Sequence, residues 1–149
     1  MDDRLYFRQL LSGRDFATSD PLAAQMVNFC YLIGDRATGE AVVVDPAYGV
    51  SDILEVLDAD GMRLTGILAT HYHPDHVGGS MMGYSIEGVA ELLGAGVEAK
   101  VHCQREESFG IKQVTDIAHS DIVEHRSGDV LEVGAVAITL MHKPGHTPG

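Results

Sequence analysis

Apolar and polar positions alternate along the chain in blocks that predict both strands and helices. Residues 27–34 and 41–45 are runs of strand-forming side chains separated by a polar connector, and they predict a β-hairpin. The block that follows carries apolar side chains at helical spacing, which predicts an amphipathic helix that begins near Ser51 and ends before Gly61. These blocks together predict a mixed α/β structure.

The next apolar block, residues 64–70, predicts a buried strand. It completes a β-α-β unit over residues 41–70, whose two strands run parallel through a right-handed crossover. Ligand sites of open α/β sheets lie outside the carboxyl ends of such strands. Asp45 and His71 both fall at these ends, so we expect the functional site there.

Beyond residue 80 the pattern predicts one more helix, over residues 85–93, and strands over residues 97–103, 121–125, 130–133 and 135–141. Residues 104–119 follow no clear pattern. Ser85 is interpreted as the cap of the predicted helix. It is not interpreted as a nucleophile, because Glu87 stands where a nucleophile elbow needs its second glycine.

Three imidazoles and a carboxylate lie within six residues directly after the predicted strand, in the run Thr70-His71-Tyr72-His73-Pro74-Asp75-His76. In extended backbone His71 and His73 point to the same side, and the proline biases His73 toward that conformation. Asp75 and His76 follow the proline, where the chain turns, and could face a second ion. Imidazole with carboxylate suits zinc, iron or manganese better than calcium. The segment therefore predicts a metal site.

A second cluster, Lys143-Pro144-Gly145-His146-Thr147-Pro148-Gly149, holds a single histidine in a loop rich in proline and glycine. Together the two clusters resemble the metallo-β-lactamase superfamily, with its Thr-His-x-His-x-Asp-His motif and its later Gly-His-Thr-x-Gly loop. The Val-Val-Asp-Pro run at residues 43–46 also fits. The similarity is greatest to the hydroxyacylglutathione hydrolase (glyoxalase II) and persulfide dioxygenase branch.

The resemblance implies a ligand set and a fold. A first metal ion would be bound by His71, His73 and His146, and a second by Asp75 and His76. Asp45 would orient these ligands without binding a metal ion itself. The fold would be the αββα sandwich of the family, two sheets packed face to face between outer helices. The family has a bridging aspartate and a final histidine after the Gly-His-Thr loop. We therefore expect residues 1–149 to form one domain, incomplete at its carboxyl end, that supplies roughly the N-terminal half to two-thirds of this sandwich and only the first sheet with its helices.

The activity that the resemblance implies is metal-dependent hydrolysis of a thioester or related ester. The site would hold two divalent cations about 3.5–4 Å apart, zinc first and iron or manganese as alternatives. They would bind a bridging hydroxide between them and activate it. Asp75 could accept a proton from the attacking water. Two alternatives stay open: a persulfide dioxygenase with one iron, and a non-catalytic half-domain, since the 149-residue chain by itself is expected to be inactive.

The charge, composition and length of the chain also argue against several partners and one rival fold. The net charge of −12 opposes binding to nucleic acid and to anionic membranes. Apolar runs are far too short to cross a bilayer, and two cysteines are too few for a disulfide framework, so we expect a cytoplasmic protein. A (β/α)₈ amidohydrolase barrel needs about 250 residues and is excluded. An uncovered sheet face predicts self-association.

The remaining histidines receive structural interpretations. His102 lies beside Cys103, but neighbours on a strand point to opposite faces, which argues against a thiolate–imidazole pair. His119, His125 and His142 have no partner at a suitable spacing and are interpreted as surface or strand residues.

Overall fold

The computed structural model describes residues 3–81 and 84–142. Its strands are β1 (Leu5–Leu11), β2 (Phe29–Asp35), β3 (Glu40–Val44), β4 (Arg63–Leu68), β5 (Gly79–Met81), β6 (Tyr84–Ile86), β7 (Lys100–Gln104), β8 (Ile122–His125), β9 (Val130–Val133) and β10 (Val136–Thr139). Its helices are α1 (Pro21–Met26), α2 (Val50–Ala59), α3 (Pro74–Val77), α4 (Val89–Gly94) and α5 (Ser108–Thr115).

A six-stranded sheet with the order β1-β2-β3-β4-β7-β8 forms the centre of the fold. β2 and β3 pair antiparallel, which confirms the predicted hairpin. β3, β4, β7 and β8 are parallel neighbours, so the predicted β-α-β unit through α2 is also confirmed. The parallel strands bring their carboxyl ends to one edge of the sheet, where the candidate site lies.

One face of the sheet is covered by helices. Apolar side chains of the central strands interlock there with those of α2, α4 and α5 in a continuous core, which includes Leu32, Val43, Ile67, Val101, Ile53, Leu57, Val89, Leu92 and Ile111. Burial of this apolar surface is the main stabilising contribution to the fold.

The other face carries a second, two-stranded sheet made of β9 and β10. Val133 packs there against Val42 and Leu68 of the central sheet. Asp35 fixes the hairpin to the sheet, because its carboxylate accepts a hydrogen bond from the Ala135 N–H at 2.8 Å. The expectation that the chain supplies only the first sheet is therefore wrong, since this hairpin begins a second layer.

The hairpin leaves the β1–β2 end of that face open. Leu5, Phe7 and Phe29 are 51%, 52% and 42% exposed, and Phe7 and Phe29 each contact the ring of Tyr31. An exposed apolar strip of this kind favours association. The predicted self-association stays a prediction.

The helix predicted over residues 85–93 starts later than expected. Residues 84–86 pair with β5 as β6, so Ser85 is a strand residue and its interpretation as a helix cap is wrong. Gly88 precedes the helix in extended backbone, and its N–H donates to the Glu91 carboxylate at 2.6 Å. Strand pairing with β5 therefore outweighs the helical spacing of Ile86 with Val89.

Within the described ranges, no helix is both long and apolar enough to span a membrane.

Candidate metal centre

The predicted ligand segment lies at the carboxyl edge of the sheet, directly after β4. His73 is extended, with φ −63° and ψ 138°, and is the residue that precedes the first turn of α3. Pro74 begins that helix, which places Asp75 and His76 in its single turn. The predicted change of direction at the proline is confirmed. The chain thus brings four potential ligands to one edge within six residues.

Asp45 connects this segment to the end of β3. Its Oδ1 accepts the backbone N–H of Thr70 at 2.8 Å, and its Oδ2 accepts the Thr70 hydroxyl at 2.6 Å. Oδ2 also contacts Nδ1 of His76 at 3.0 Å. The residue is 8% exposed and has a φ of +54°, a left-handed conformation that aspartate and asparagine tolerate better than most residues.

These hydrogen bonds fix which nitrogen of each imidazole carries the proton. A carboxylate only accepts, so Nδ1 of His76 must be the donor to Asp45. The single hydroxyl hydrogen of Thr70 points to Asp45, so Thr70 Oγ1 must accept from Nδ1 of His71, 2.9 Å away. In the neutral rings, Nε2 of His71 and of His76 is then the nitrogen with a lone pair suited to a metal ion.

The rings lie close together. The His71 centroid is 4.1 Å from that of His76 and 4.9 Å from that of His73. Asp45, His71 and His76 each offer a ligand atom within 4.8 Å of the others. Because both oxygens of Asp45 already accept hydrogen bonds, this carboxylate orients the imidazoles. The donor set fits a divalent metal ion that prefers imidazole nitrogen.

Asp75 is held by a residue that the sequence did not indicate. The side-chain amide of Asn28 donates to the Asp75 backbone oxygen at 2.8 Å and to its Oδ2 at 2.9 Å. The same Oδ2 lies 3.5 Å from Nε2 of His76. Asn28 stands alone before β2, with no motif around it, so no sequence signal marked it.

The site is electrostatically negative around His76. Burial by itself would lower the pKa of His76, but the hydrogen bond to Asp45 and the charges of Asp45 and Asp75 raise it above its usual value. Two carboxylates near the imidazoles also favour a cation in their midst.

His146 and the rest of the predicted Gly-His-Thr loop lie outside the described residues. The convergence of His71, His73 and His146 on one ion therefore stays a prediction.

A cavity of about 380 Å³ opens next to His71, between the central sheet and the β9–β10 hairpin. His102 lines it, and its Nδ1 is 2.8 Å from Nε2 of His125, whose Nδ1 is 3.1 Å from a carboxylate oxygen of Asp129. The interpretation of His125 as a strand residue is confirmed, since it ends β8, while its contacts with His102 and Asp129 had no signal in the sequence. Burial and the neighbouring His125 lower the pKa of His102 to about 4.

Cys103 lies in the core on the opposite face of β7, and burial raises the pKa of its thiol to about 12. A thiolate–imidazole pair with His102 is thus disfavoured, as its position on the strand predicted.

Fold and site define an α/β protein with a cluster of histidine and aspartate at the carboxyl edge of its sheet. The family model of the metallo-beta-lactamase superfamily matches residues 25–149. The chain therefore belongs to the metallo-beta-lactamase superfamily, and the resemblance inferred from its motifs is confirmed.

Curated proteins with similar sequences indicate which branch of the superfamily this chain resembles. The chain is 36% identical over 120 residues to a hydroxyacylglutathione hydrolase of Rhodopseudomonas palustris, a match that covers 80% of this chain and 40% of the relative. It is 40% identical over 121 residues to a hydroxyacylglutathione hydrolase of a Bradyrhizobium species, with the same coverage. The chain spans about two fifths of the length of these curated relatives.

Solved structures agree with this placement. ETHE1 from Myxococcus xanthus has a TM-score of 0.65 and 26% identity, over 96% of this chain and 50% of that one. A metallo-beta-lactamase from Staphylococcus aureus has a TM-score of 0.68 and 25% identity, over 98% of this chain and 36% of that one. The family fold, of which this chain forms a part, is thereby confirmed.

Proposed function

We propose that the protein is a metal-dependent hydrolase of thioesters or related esters. The observation that carries this proposal is the hydrogen-bond network in which Asp45 and Thr70 direct Nε2 of His71 and His76 as potential ligands. Relatives named hydroxyacylglutathione hydrolase support the reaction class. Self-association, a cytoplasmic location and the absence of nucleic-acid partners remain expectations from the sequence.

His71, His73 and His146 would hold one divalent ion, and Asp75 and His76 a second. Zinc suits these ligands best, and iron or manganese are alternatives. Bound ions would supply Lewis-acid polarisation of the carbonyl and would lower the pKa of a water molecule toward 7. No protein nucleophile is needed for that chemistry.

The side chains have separate roles in this proposal. Asp75 accepts the proton of the attacking water, and the side-chain amide of Asn28 holds Asp75 in place by donating to its backbone oxygen and to its Oδ2. Asp45 and Thr70 keep His71 and His76 in the tautomers that leave Nε2 unprotonated. Such preorganisation removes the cost of reorienting these groups during the reaction.

A second candidate is a persulfide dioxygenase with one iron. The similarity to ETHE1 fits this alternative. It uses the same histidines, so ligand spacing does not separate the two functions.

Elemental analysis and thioester turnover together separate the candidates. We expect two zinc ions per chain in the complete protein and hydrolysis of an S-acylglutathione, followed as released thiol, that a chelator abolishes and zinc restores. Asp75→Asn should lower kcat by about 10²–10⁴-fold, the usual contribution of a general base. Asp52→Asn is the matched control, because Asp52 accepts a backbone N–H from Ala17 on another part of the fold.

Three results would contradict the proposal: hydrolysis that survives chelation, an Asp75→Asn variant as active as Asp52→Asn, or one iron per chain with oxygen uptake on a persulfide. The last result would establish the second candidate instead.

A further inference from the structure

A fully buried carboxylate lies behind the predicted ligand segment. Glu107 is 0% exposed and ends the short 3₁₀ turn Arg105–Glu107 that joins β7 to α5. Burying a carboxylate costs free energy unless polar groups compensate it, so its hydrogen-bond partners indicate its role.

One of those partners belongs to the ligand segment. The backbone N–H of Tyr72 donates to Oε1 of Glu107 at 3.0 Å. Tyr72 stands between His71 and His73, so its peptide unit determines the relative direction of the two imidazoles. A hydrogen bond from a backbone N–H to a carboxyl oxygen is stronger in the dry protein interior than in water.

The same helix also holds the Tyr72 side chain. A Cβ placed on Gly110 would lie 2.5 Å from Cγ of Tyr72, so the ring packs directly on the α5 backbone. The Tyr72 ring in turn contacts the His73 ring edge to face, with centroids 5.1 Å apart. Backbone and side chain of Tyr72 are therefore both fixed by the start of α5.

We propose that Glu107 is a positioning residue of the metal centre. It holds the Tyr72 peptide, and through it sets the approach of His71 and His73 to a common ion without ligating that ion. Gly110 completes the arrangement, since only a residue without a side chain lets the Tyr72 ring lie against the helix. This inference rests on the proposed function in so far as a metal ion is bound.

The test compares three variants in α5 and its preceding turn. Glu107→Ala removes the acceptor, Glu107→Gln keeps an acceptor oxygen of the same reach without the charge, and Ile111→Val trims a fully buried core residue that belongs to the same helix. Zinc affinity is measured by competition with a chromogenic chelator. Exchange of the Tyr72 amide proton is measured by NMR in the metal-free protein.

We expect Glu107→Ala to weaken zinc binding by about 10–100-fold, the usual effect of losing a group that orients ligands. Tyr72 amide exchange should accelerate by about tenfold or more, in line with a lost hydrogen bond of at least 1.4 kcal/mol. Glu107→Gln should restore affinity to within about threefold of the wild type. Ile111→Val should lower the unfolding temperature with no change in zinc affinity. If Glu107 had a purely structural role, Glu107→Ala would show this same result.

Gly110→Ala gives an independent measurement should Glu107→Ala not fold. Its added Cβ displaces the Tyr72 ring, so we expect weaker zinc binding together with a lower unfolding temperature, because the overlap outweighs the gain in helix propensity. Wild-type affinity in Glu107→Ala or in Gly110→Ala would overturn the inference, as would Glu107→Gln being as weak as Glu107→Ala. A wild-type protein that binds no zinc would refute the proposed function instead, and Tyr72 exchange would then decide whether Glu107 holds that peptide.

Discussion

Replacing Asp45 by asparagine tests the hydrogen-bond network most directly. Asparagine has the same size and tolerates the φ of +54°, so the backbone is not strained. Its oxygen can still accept the Thr70 N–H. Its amide group, however, replaces the oxygen that now accepts from both the Thr70 hydroxyl and Nδ1 of His76. The Thr70 hydroxyl and the His76 Nδ1–H, both hydrogen-bond donors, then face an amide group that is also a donor.

The loss of stability caused by these facing donors follows from the hydrogen bonds that the substitution removes. Two hydrogen bonds to an ionised acceptor are worth about 1.5–3 kcal/mol each, and rotation of the Thr70 hydroxyl recovers part of one, so we expect a loss of about 2–4 kcal/mol in the free energy of unfolding. His76 avoids the amide by moving its proton from Nδ1 to Nε2, and a protonated Nε2 cannot bind a metal. Zinc affinity should therefore fall by about 10–100-fold.

Urea unfolding of the metal-free protein and chelator competition measure the two effects. Asp52→Asn removes the same charge and weakens one hydrogen bond, that from Ala17 at 2.8 Å, without touching the site. We expect this control to lose stability but keep its zinc affinity. An Asp45→Asn protein whose zinc affinity stays within twofold of the control would refute the tautomer argument.

Further changes have equally specific outcomes. His73→Ala should remove more than nine tenths of kcat/KM for the thioester in the complete protein and leave the circular dichroism spectrum unchanged, because the residue lies at the sheet rim. Gly134→Ala should cost about 1–3 kcal/mol in urea unfolding, since Gly134 has a φ of +58° and an added Cβ would collide with Asp35; Gly128→Ala, at φ +95° in open space, should cost less. The pKa of His102 is about 4 in the folded protein against 6.5 ordinarily, so the unfolded chain binds more protons between these values. Stability should then fall as pH drops from 6.5 to 4, and His102→Asn should flatten that slope in unfolding measured across the range.

The sequence by itself determined the features that depend on neighbours along the chain. The β2–β3 hairpin and the β-α-β unit followed from short runs with clear spacing, and the connection rules for parallel strands placed Asp45 and His71 at the same edge. The chemistry of the ligand segment was readable for the same reason, because four potential ligands and a proline lie within six residues.

Only the tertiary structure decided the features that depend on distant partners. β1 escaped detection because two of its apolar side chains, Leu5 and Phe7, are more than half exposed and blur the strand pattern. Residues 85 and 86 follow a helical spacing, yet pairing with β5 draws them into a strand.

The supports of the site are non-local as well. Glu107 meets Tyr72 across 35 residues and Asn28 meets Asp75 across 47. Hydrogen bonds of this kind leave no periodic signal, because one polar residue at an unmarked position suffices to make them. They form only once hydrophobic burial has brought the strands and helices together, so the ligands can be read from the sequence while the groups that orient them cannot.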